Sequence, residues 1–143
     1  MKVKAFTMLE SIIVLGITVL IITFSFPNLK KSQQVATENA FWSSFQQNWR
    51  NAQLRAKINH IETGVTFKRE TYQVEFTWYE NSQFQKQLLD IPATLRVNEF
   101  SNFRMHENGY TKPRTQEFES SITHRKYFMK IQLAWGGYHI ETK

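Results

Sequence analysis

Glu10 is the residue whose surroundings most need a chemical explanation. Residues 6–26 read FTMLESIIVLGITVLIITFSF, and Glu10 is the single ionisable side chain among these 21 residues. A carboxylate costs on the order of 3 kcal/mol at the centre of a bilayer and less near its edge, so an acid inside a membrane segment is a functional hypothesis that needs a charged partner. The alternative is an acid that lies in the headgroup layer without such a partner. The residues alone leave both interpretations open.

Basic side chains offer a second kind of chemistry. The chain has 18 Lys and Arg against 12 Asp and Glu, and the formal net charge of +6 favours anionic partners such as nucleic acid, phospholipid headgroups or acidic wall polymers. Three clusters are candidates for contact with DNA phosphate, with Tyr127 and Phe128 as rings that could stack on a base. The clusters are Lys68 with Arg69, Lys112 with Arg114, and Arg125 with Lys126 and Lys130. The alternative is that these charges only keep the protein soluble.

No pattern in the sequence is typical of an enzyme, a cofactor site or a metal site. The five glycines form neither a phosphate-binding loop nor a dinucleotide fingerprint. The four histidines lie far apart and have no metal-ligand spacing, and cysteine is absent. We therefore expect no catalytic residue, no metal and no cofactor, and we expect the histidines to lie on the surface or in turns. The histidines are His60, His106, His124 and His139.

The elements that position these residues begin with a membrane helix. As a helix, residues 6–26 would span roughly 31 Å, which matches the hydrocarbon thickness of a bilayer. A cleaved secretory signal is the competing interpretation, but its apolar core has only about 7 to 15 residues and is followed by a small-x-small site. The flanking charges leave the orientation open, because Lys2 and Lys4 precede the segment while Lys30 and Lys31 follow it.

A second helical segment follows at residues 28–58, which contain no Gly or Pro. Apolar residues recur at helical spacing and predict a helix that lays one side on a sheet. This stripe consists of Val35, Trp42, Phe45, Trp49, Ala52 and Ala56, widened by Phe41. The other faces are predicted to hold Glu38, Gln46, Gln47, Arg50 and Arg55. Pro27 lies between the two segments, where it removes one helix hydrogen bond and would permit a bend.

After Asn59 the period of the apolar residues changes from helical to two, which indicates strands in residues 59–143. Val65 and Phe67 predict a strand that pairs with the alternating residues 72–78. Further strands are predicted at 83–89, 94–97 and 116–118, with a turn at Asn108-Gly109. A closing hairpin joins 127–133 to 138–140 through Gly136-Gly137. The prediction is an α+β protein with one long helix and six or seven strands.

The start of the chain resembles the class III signal of type IV pilins and pseudopilins. That signal has a short basic leader, a small residue, a cleavage point, then Phe and, at the fifth position after the cut, Glu. The matching residues are Lys4-Ala5-Phe6-Thr7-Met8-Leu9-Glu10. Pro27 falls where many pilins carry a helix-kinking proline. Ala5 is a departure, because the family most often has Gly there.

This resemblance implies processing and assembly. A membrane aspartyl peptidase, the prepilin peptidase, would cut between Ala5 and Phe6 on the cytoplasmic side, remove residues 1–5 and N-methylate the Phe6 amine. Residues 6–27 would form the transmembrane and filament-core helix, with the amino terminus cytoplasmic. Glu10 would pair with the α-amino group of Phe6, in its own or a neighbouring subunit, because low dielectric strengthens this attraction and penalises either charge alone. Glu10 and Pro27 are thus expected to serve filament assembly.

The rest of the chain is similar to minor pseudopilins of the ComGD and GspH groups. The similarity lies in the spread pattern Phe45…Gln53…Ala56, in Tyr72-Gln73-Val74, and in the closing strand and glycine turn IQLAWGGYHI at residues 131–140. It implies a type IV pilin-like fold, in which a long N-terminal helix with a membrane half and an amphipathic half packs on a C-terminal antiparallel β-sheet.

The function that the resemblance implies is that of a minor pseudopilin in a competence pilus, which brings DNA to the uptake channel of a Gram-positive bacterium. Its expected partners are the major pseudopilin, other minor pseudopilins and the peptidase. A membrane platform protein and an assembly ATPase would act indirectly. The expected location is the cell membrane and the cell surface. The alternatives are a minor pseudopilin of type II secretion, and a single-pass surface adhesin or wall-binding protein without a filament.

Overall fold

The computed structural model describes residues 7–132 and 136–143, and at residues 25–28 it describes the backbone alone. The described residues form one helix followed by eight strands. The elements are α1 (Met8–Asn59), β1 (Thr63–Lys68), β2 (Gln73–Glu80), β3 (Gln83–Asp90), β4 (Leu95–Val97), β5 (Asn102–Met105), β6 (Thr115–Ser120), β7 (Lys126–Ile131) and β8 (Tyr138–Thr142). The predicted α+β layout, a long N-terminal helix before antiparallel strands, is confirmed.

The chain divides into two compact units, Met1–Val35 and Ala36–Lys143. In the first unit, every side chain from residue 7 to residue 24 is exposed, although most are apolar. The hydroxyl groups of Thr18 and Thr23 donate to the carbonyl oxygens of Val14 and Val19, both at 2.8 Å. These bonds remove polar groups from the surface that would otherwise need water. This helix is long and apolar enough to cross a membrane.

In the second unit, α1 buries the predicted aromatic stripe. Phe45, Trp49, Ala52 and Ala56 are buried, as is Phe41. The helix ends at Asn59, and the next residue, His60, adopts a left-handed conformation with φ 53°. A residue in that conformation commonly terminates an α-helix. The predicted core face of this helix is therefore confirmed at these positions.

Glu38 is where the prediction for this helix was wrong. Its side chain is only 2% exposed, whereas the sequence placed it on a face other than the apolar stripe, and Val35 of that stripe is only half-buried. Position 38 lies one helical turn before Trp42 and therefore belongs to the stripe. A carboxylate is tolerated there because the Ser120 hydroxyl donates a hydrogen bond to Glu38 Oε1 at 3.0 Å. An apolar pattern cannot reveal such a partner.

The strands form two four-stranded antiparallel sheets, in the orders β3-β2-β1-β5 and β4-β6-β7-β8. The predicted hairpins β1–β2 and β7–β8 are present. The sequence predicted one sheet of six or seven strands and missed β5. That strand has only two inward-facing residues, Phe103 and Met105, and it pairs with β1, far away in the chain. The partner that gives these four residues their strand pairing is distant in the chain and cannot be inferred from local periodicity.

Gly136, which lies just before β8, is hydrogen-bonded to the helix. The indole Nε1 of Trp49 donates to the carbonyl oxygen of Gly136 at 2.9 Å. Gly136 has φ 61°, and a Cβ atom there would clash with the carbonyl oxygen of Gly109. Gly137 has no atom within 4 Å of such a Cβ position. Residues 133–135, which are predicted to belong to the closing strand and the glycine-turn motif, lie outside the described residues.

Gly136→Ala should therefore destabilise the protein by about 2 kcal/mol or more, because the substitution combines a left-handed backbone with a close carbonyl. Gly137→Ala is the matched control and should change the free energy of unfolding by less than about 0.5 kcal/mol. Denaturant unfolding of the full chain in mild detergent, followed by tryptophan fluorescence, measures both values. Equal effects of the two substitutions would contradict the described conformation of Gly136.

Candidate functional site

Glu10 lies in the first turn of α1, in a cap made by Thr7. Thr7 Oγ1 accepts a hydrogen bond from the backbone N–H of Glu10 at 3.3 Å, and the Thr7 carbonyl accepts one from the N–H of Ser11 at 3.2 Å. Thr7 is thus the N-cap, and Thr7 with Glu10 follows the spacing of a capping box. The carboxylate of Glu10 is exposed and lies near the positive end of the helix dipole. This local role is compatible with a second role toward an amine.

The other residues predicted for processing and assembly are not described to the same depth. Ala5 and Phe6, the predicted cleavage and methylation residues, lie outside the described residues. Pro27 falls within the helical assignment of α1, at positions where the backbone alone is described. The cleavage, the methylation and the role of Pro27 stay predictions.

The first basic cluster, at the end of β1, is engaged by neighbouring side chains. Lys68 Nζ forms an ion pair with the carboxylate of Glu75, which is buried on β2. The guanidinium of Arg69 lies over the ring of Phe100, 5.4 Å from the centroid. Each of these two cations therefore has a partner within the folded chain.

The third cluster is held in the same way on β7. Lys126 Nζ lies 3.1 Å from Glu117 Oε1 on β6, and Lys130 Nζ lies 2.6 Å from Glu141 Oε2 on β8. Arg125 is exposed in the turn before β7. These cross-strand pairs neutralise two of the three predicted DNA contacts.

The rings proposed to stack on a base beside this cluster are partly used in packing. Tyr127 is half-buried and packs against Trp42, with ring centroids 5.6 Å apart. Phe128 is half-buried and has Lys143 Nζ 5.9 Å from its centroid. Their contacts favour a structural role over base stacking.

The second cluster is the one that the fold gathers into a site. Lys112 and Arg114 line a groove of about 590 Å³ together with Arg104 and His106. No carboxylate is among the described residues that line this groove. At its margins, Arg114 pairs with Glu99 at 2.8 Å, and His106 Nδ1 lies 2.9 Å from Glu62 Oε1. We refer to this feature as the basic groove.

Arg104 is the member of the basic groove that sequence reasoning missed. It lies on β5, the strand that was not predicted, and points to the outer face of its sheet between the buried residues Phe103 and Met105. The alternation of Asn102 and Arg104 with these two apolar residues was the available signal. His106 was predicted as a surface histidine, and it is exposed, as are the other three histidines.

Burial shifts the pKa values of two further ionisable groups, which lie outside the groove. Burial raises the pKa of Tyr138 to about 12, and the nearby positive charge of Arg50 opposes this shift in part. Burial lowers the pKa of Arg55, whose guanidinium lies 3.8 Å from the centroid of the Trp78 ring, while the charge of Glu80 opposes the shift. These groups serve packing, since Tyr138 contacts Phe45 and Trp49.

No metal centre is formed by the described part of the chain. Across residues 7–132 and 136–143, no group of three or more His, Asp or Glu side chains could hold a metal ion.

Comparison of this chain with protein-family models, with curated proteins and with solved structures gave no match.

The pairing of Lys130 predicts an acid-sensitive contact on β8. A hydrogen bond from Lys130, and a second one from His139, lower the pKa of Glu141. The stabilisation from this contact is therefore present above the usual carboxyl range and is lost as pH falls through the lowered pKa. Lys130→Met should raise the pKa of Glu141, as measured by NMR titration of its carboxyl carbon in the full chain. Lys126→Met, the control, should leave that titration unchanged, and a Glu141 curve unaffected by loss of Lys130 would refute the pairing.

Proposed function

We propose that this chain is a minor pseudopilin of a competence filament, which serves the uptake of DNA during transformation. The precursor is inserted in the cytoplasmic membrane with its amino terminus inside. The prepilin peptidase cuts between Ala5 and Phe6 and methylates the Phe6 amine. The mature subunit joins a major pseudopilin and other minor pseudopilins at the cell surface, and a platform protein and an ATPase drive assembly.

The observation that carries this proposal is the position of Glu10. It is an acid in the first turn of a helix whose other described side chains, up to residue 24, are uncharged and exposed on every face. The helix dipole gives this acid a local role at the start of the helix, but burial of the same carboxylate in lipid is unfavourable without a charged partner. A cut before Phe6 would create a positively charged amine four residues before Glu10. When helices pack side by side, the amine of one subunit would also be able to approach Glu10 of its neighbour.

The exposed helix supports a subunit that exchanges one apolar environment for another. In the membrane, lipid covers its side chains, and in a filament the helices of other subunits would cover them. Apolar burial gives little preference between the two states, because lipid is as apolar as a neighbouring helix. A charge pair between Glu10 and the Phe6 amine would then supply both a preference for the assembled state and the register of the subunits.

The second unit supports a role outside the membrane. It has its own aromatic core and two sheets, and it carries the basic groove on its surface. Such a groove fits an anionic partner, and DNA is the anionic partner that a transformation filament handles. The role proposed for the helix is assembly, and the role proposed for the folded unit is contact with siblings or with DNA.

Mass spectrometry of the protein isolated from its native membrane tests the processing. We expect a mature chain that begins at N-methylated Phe6, because the small residue at Ala5 and the apolar run match the peptidase signal. A chain that keeps Met1, or one that has lost everything through Phe26, would refute the proposal. Deletion of the chain should reduce transformation, whereas a loss of protein secretion would instead indicate a type II secretion subunit.

Glu10→Val should leave the protein cleaved and membrane-inserted but reduce its recovery in sheared filaments by at least about tenfold, the effect of losing roughly 1.4 kcal/mol of assembly energy. Thr7→Val is the matched control, because it removes the cap of the same helical turn and keeps the acid. If both variants fail equally, Glu10 acts by starting the helix. Normal co-assembly of Glu10→Val would refute the charge-pair role.

A further inference from the structure

We propose that the outer face of the β3-β2-β1-β5 sheet binds single-stranded DNA, with phosphates in the basic groove and a base on an adjacent aromatic pocket. This inference deepens the proposed function and rests on it for the biological source of the DNA. The supporting observation is that a cationic groove lies beside a pair of exposed aromatic rings, with Arg104 lining both features.

The basic groove supplies the phosphate half of the site. Arg104 and Lys112 form no ion pair with a described carboxylate, so their charges are available to a ligand. Arg114 uses one guanidinium nitrogen on Glu99, and the other donors of its fork remain for phosphate. The groove volume of about 590 Å³ is in the range of sites that hold a small organic ligand, and therefore accommodates a nucleotide segment.

A second depression of about 200 Å³ adjoins this groove on the β5 side, and the two share Arg104. Tyr79 and Phe84 line it, and they are 67% and 54% exposed. They face each other across β2 and β3, with ring centroids 5.4 Å apart in an edge-to-face arrangement. Aromatic residues of this size are normally buried, so an exposed pair on a strand hairpin is a surface that a ligand can cover. We refer to this depression as the aromatic pocket.

Gly64 keeps the floor of the aromatic pocket open. It lies on β1, between Thr77 of β2 and Arg104 of β5 in the sheet register. A Cβ atom at Gly64 would approach Thr77 Oγ1 to 2.7 Å, so no larger residue fits there without displacing Thr77. The absent side chain gives a planar group access to the sheet surface beside the rings.

Arg104 connects the two halves, because its side chain lines both the basic groove and the aromatic pocket. Glu62 also lines the pocket, and its carboxylate is engaged by His106 Nδ1 at 2.9 Å. A nucleotide whose phosphate contacts Arg104 would therefore have rings within reach on one side and further cations on the other. This is the combination by which proteins bind single strands, a cationic track with stacking platforms.

The aromatic pocket distinguishes single-stranded DNA from the other anionic polymers that the basic groove could bind. In a duplex, the faces of the bases are stacked on each other and are not accessible to Tyr79 or Phe84. A polyphosphate or a wall polymer has no base and would use the basic groove alone. Only a single strand engages both halves, which is why we assign that ligand.

The test uses the purified full chain in non-ionic detergent and fluorescence anisotropy with a labelled 20-nucleotide oligo(dT). We expect binding at low salt that is at least tenfold tighter than binding of an abasic strand of equal length and charge, of the matched duplex, or of polyphosphate. Raising the salt should weaken all of these complexes. No binding of oligo(dT) at low salt, or equal affinity for the abasic strand, would overturn the proposal.

Variants separate the two halves of the site. Tyr79→Ser with Phe84→Ser should weaken oligo(dT) binding at least tenfold and leave polyphosphate binding unchanged. Arg104→Ala should weaken both ligands, and Arg104→Lys should recover part of the loss. Arg96→Ala, which removes an exposed basic residue on β4 of the other sheet, is the control and should change neither. Loss of oligo(dT) binding in the control, or its retention in the Tyr79 and Phe84 variant, would contradict the assignment.

These measurements are independent of filament assembly. Because all the substituted side chains are exposed, circular dichroism should show unchanged folding for each variant. A protein that is methylated at Phe6 and enters filaments but fails to bind oligo(dT) would refute the DNA site alone. A protein that binds oligo(dT) but keeps Met1 would refute the pseudopilin assignment and leave the site in place.

Discussion

The contact of Phe45 and Trp49 with both sheets is the interaction on which the folded unit depends. Phe45 packs on Phe67 and Phe76 of the first sheet and on Tyr138 of the second. Trp49 reaches Phe103 of the first sheet, Tyr138 of the second and, through its indole N–H, the carbonyl of Gly136. The helix thus contacts both sheets, and the sheets also meet directly where Phe67 packs on Phe118, with ring centroids 5.7 Å apart.

Local periodicity explains why much of this architecture was predictable. The helix stripe and the β1–β2 hairpin follow from residues close together in the chain, whose spacing alone indicates which side is buried. The division of the strands into two sheets cannot be predicted from local periodicity. It depends on the pairing of β1 with β5 and of β4 with β6, where intervening strands separate the partners. Such pairings are decided by the packing of the whole core, and Glu38 shows the same limit, because its partner Ser120 lies on a distant strand.

The candidate sites also differ in how much of each could be predicted from the sequence. The sequence identified Glu10 because an acid in an apolar run is visible without a structure. It also identified the basic clusters, but charge counting could not distinguish cations with a carboxylate across the sheet from those without one. Lys130 and Lys126 are engaged in this way, whereas Lys112 is not engaged by any described carboxylate. Arg104 joins Lys112 only through the tertiary fold, because it lies on β5, which was not predicted and pairs with the distant strand β1.

The place of Tyr138 in the core has a consequence for how the chain is made. Its ring contacts Phe45 and Trp49, which the ribosome synthesises long before β8. During the interval, the aromatic face of the helix lacks the side chain of Tyr138 and exposes apolar surface that promotes association with other nascent chains. Folding of this unit is therefore completed after synthesis of β8 and not progressively from the amino terminus.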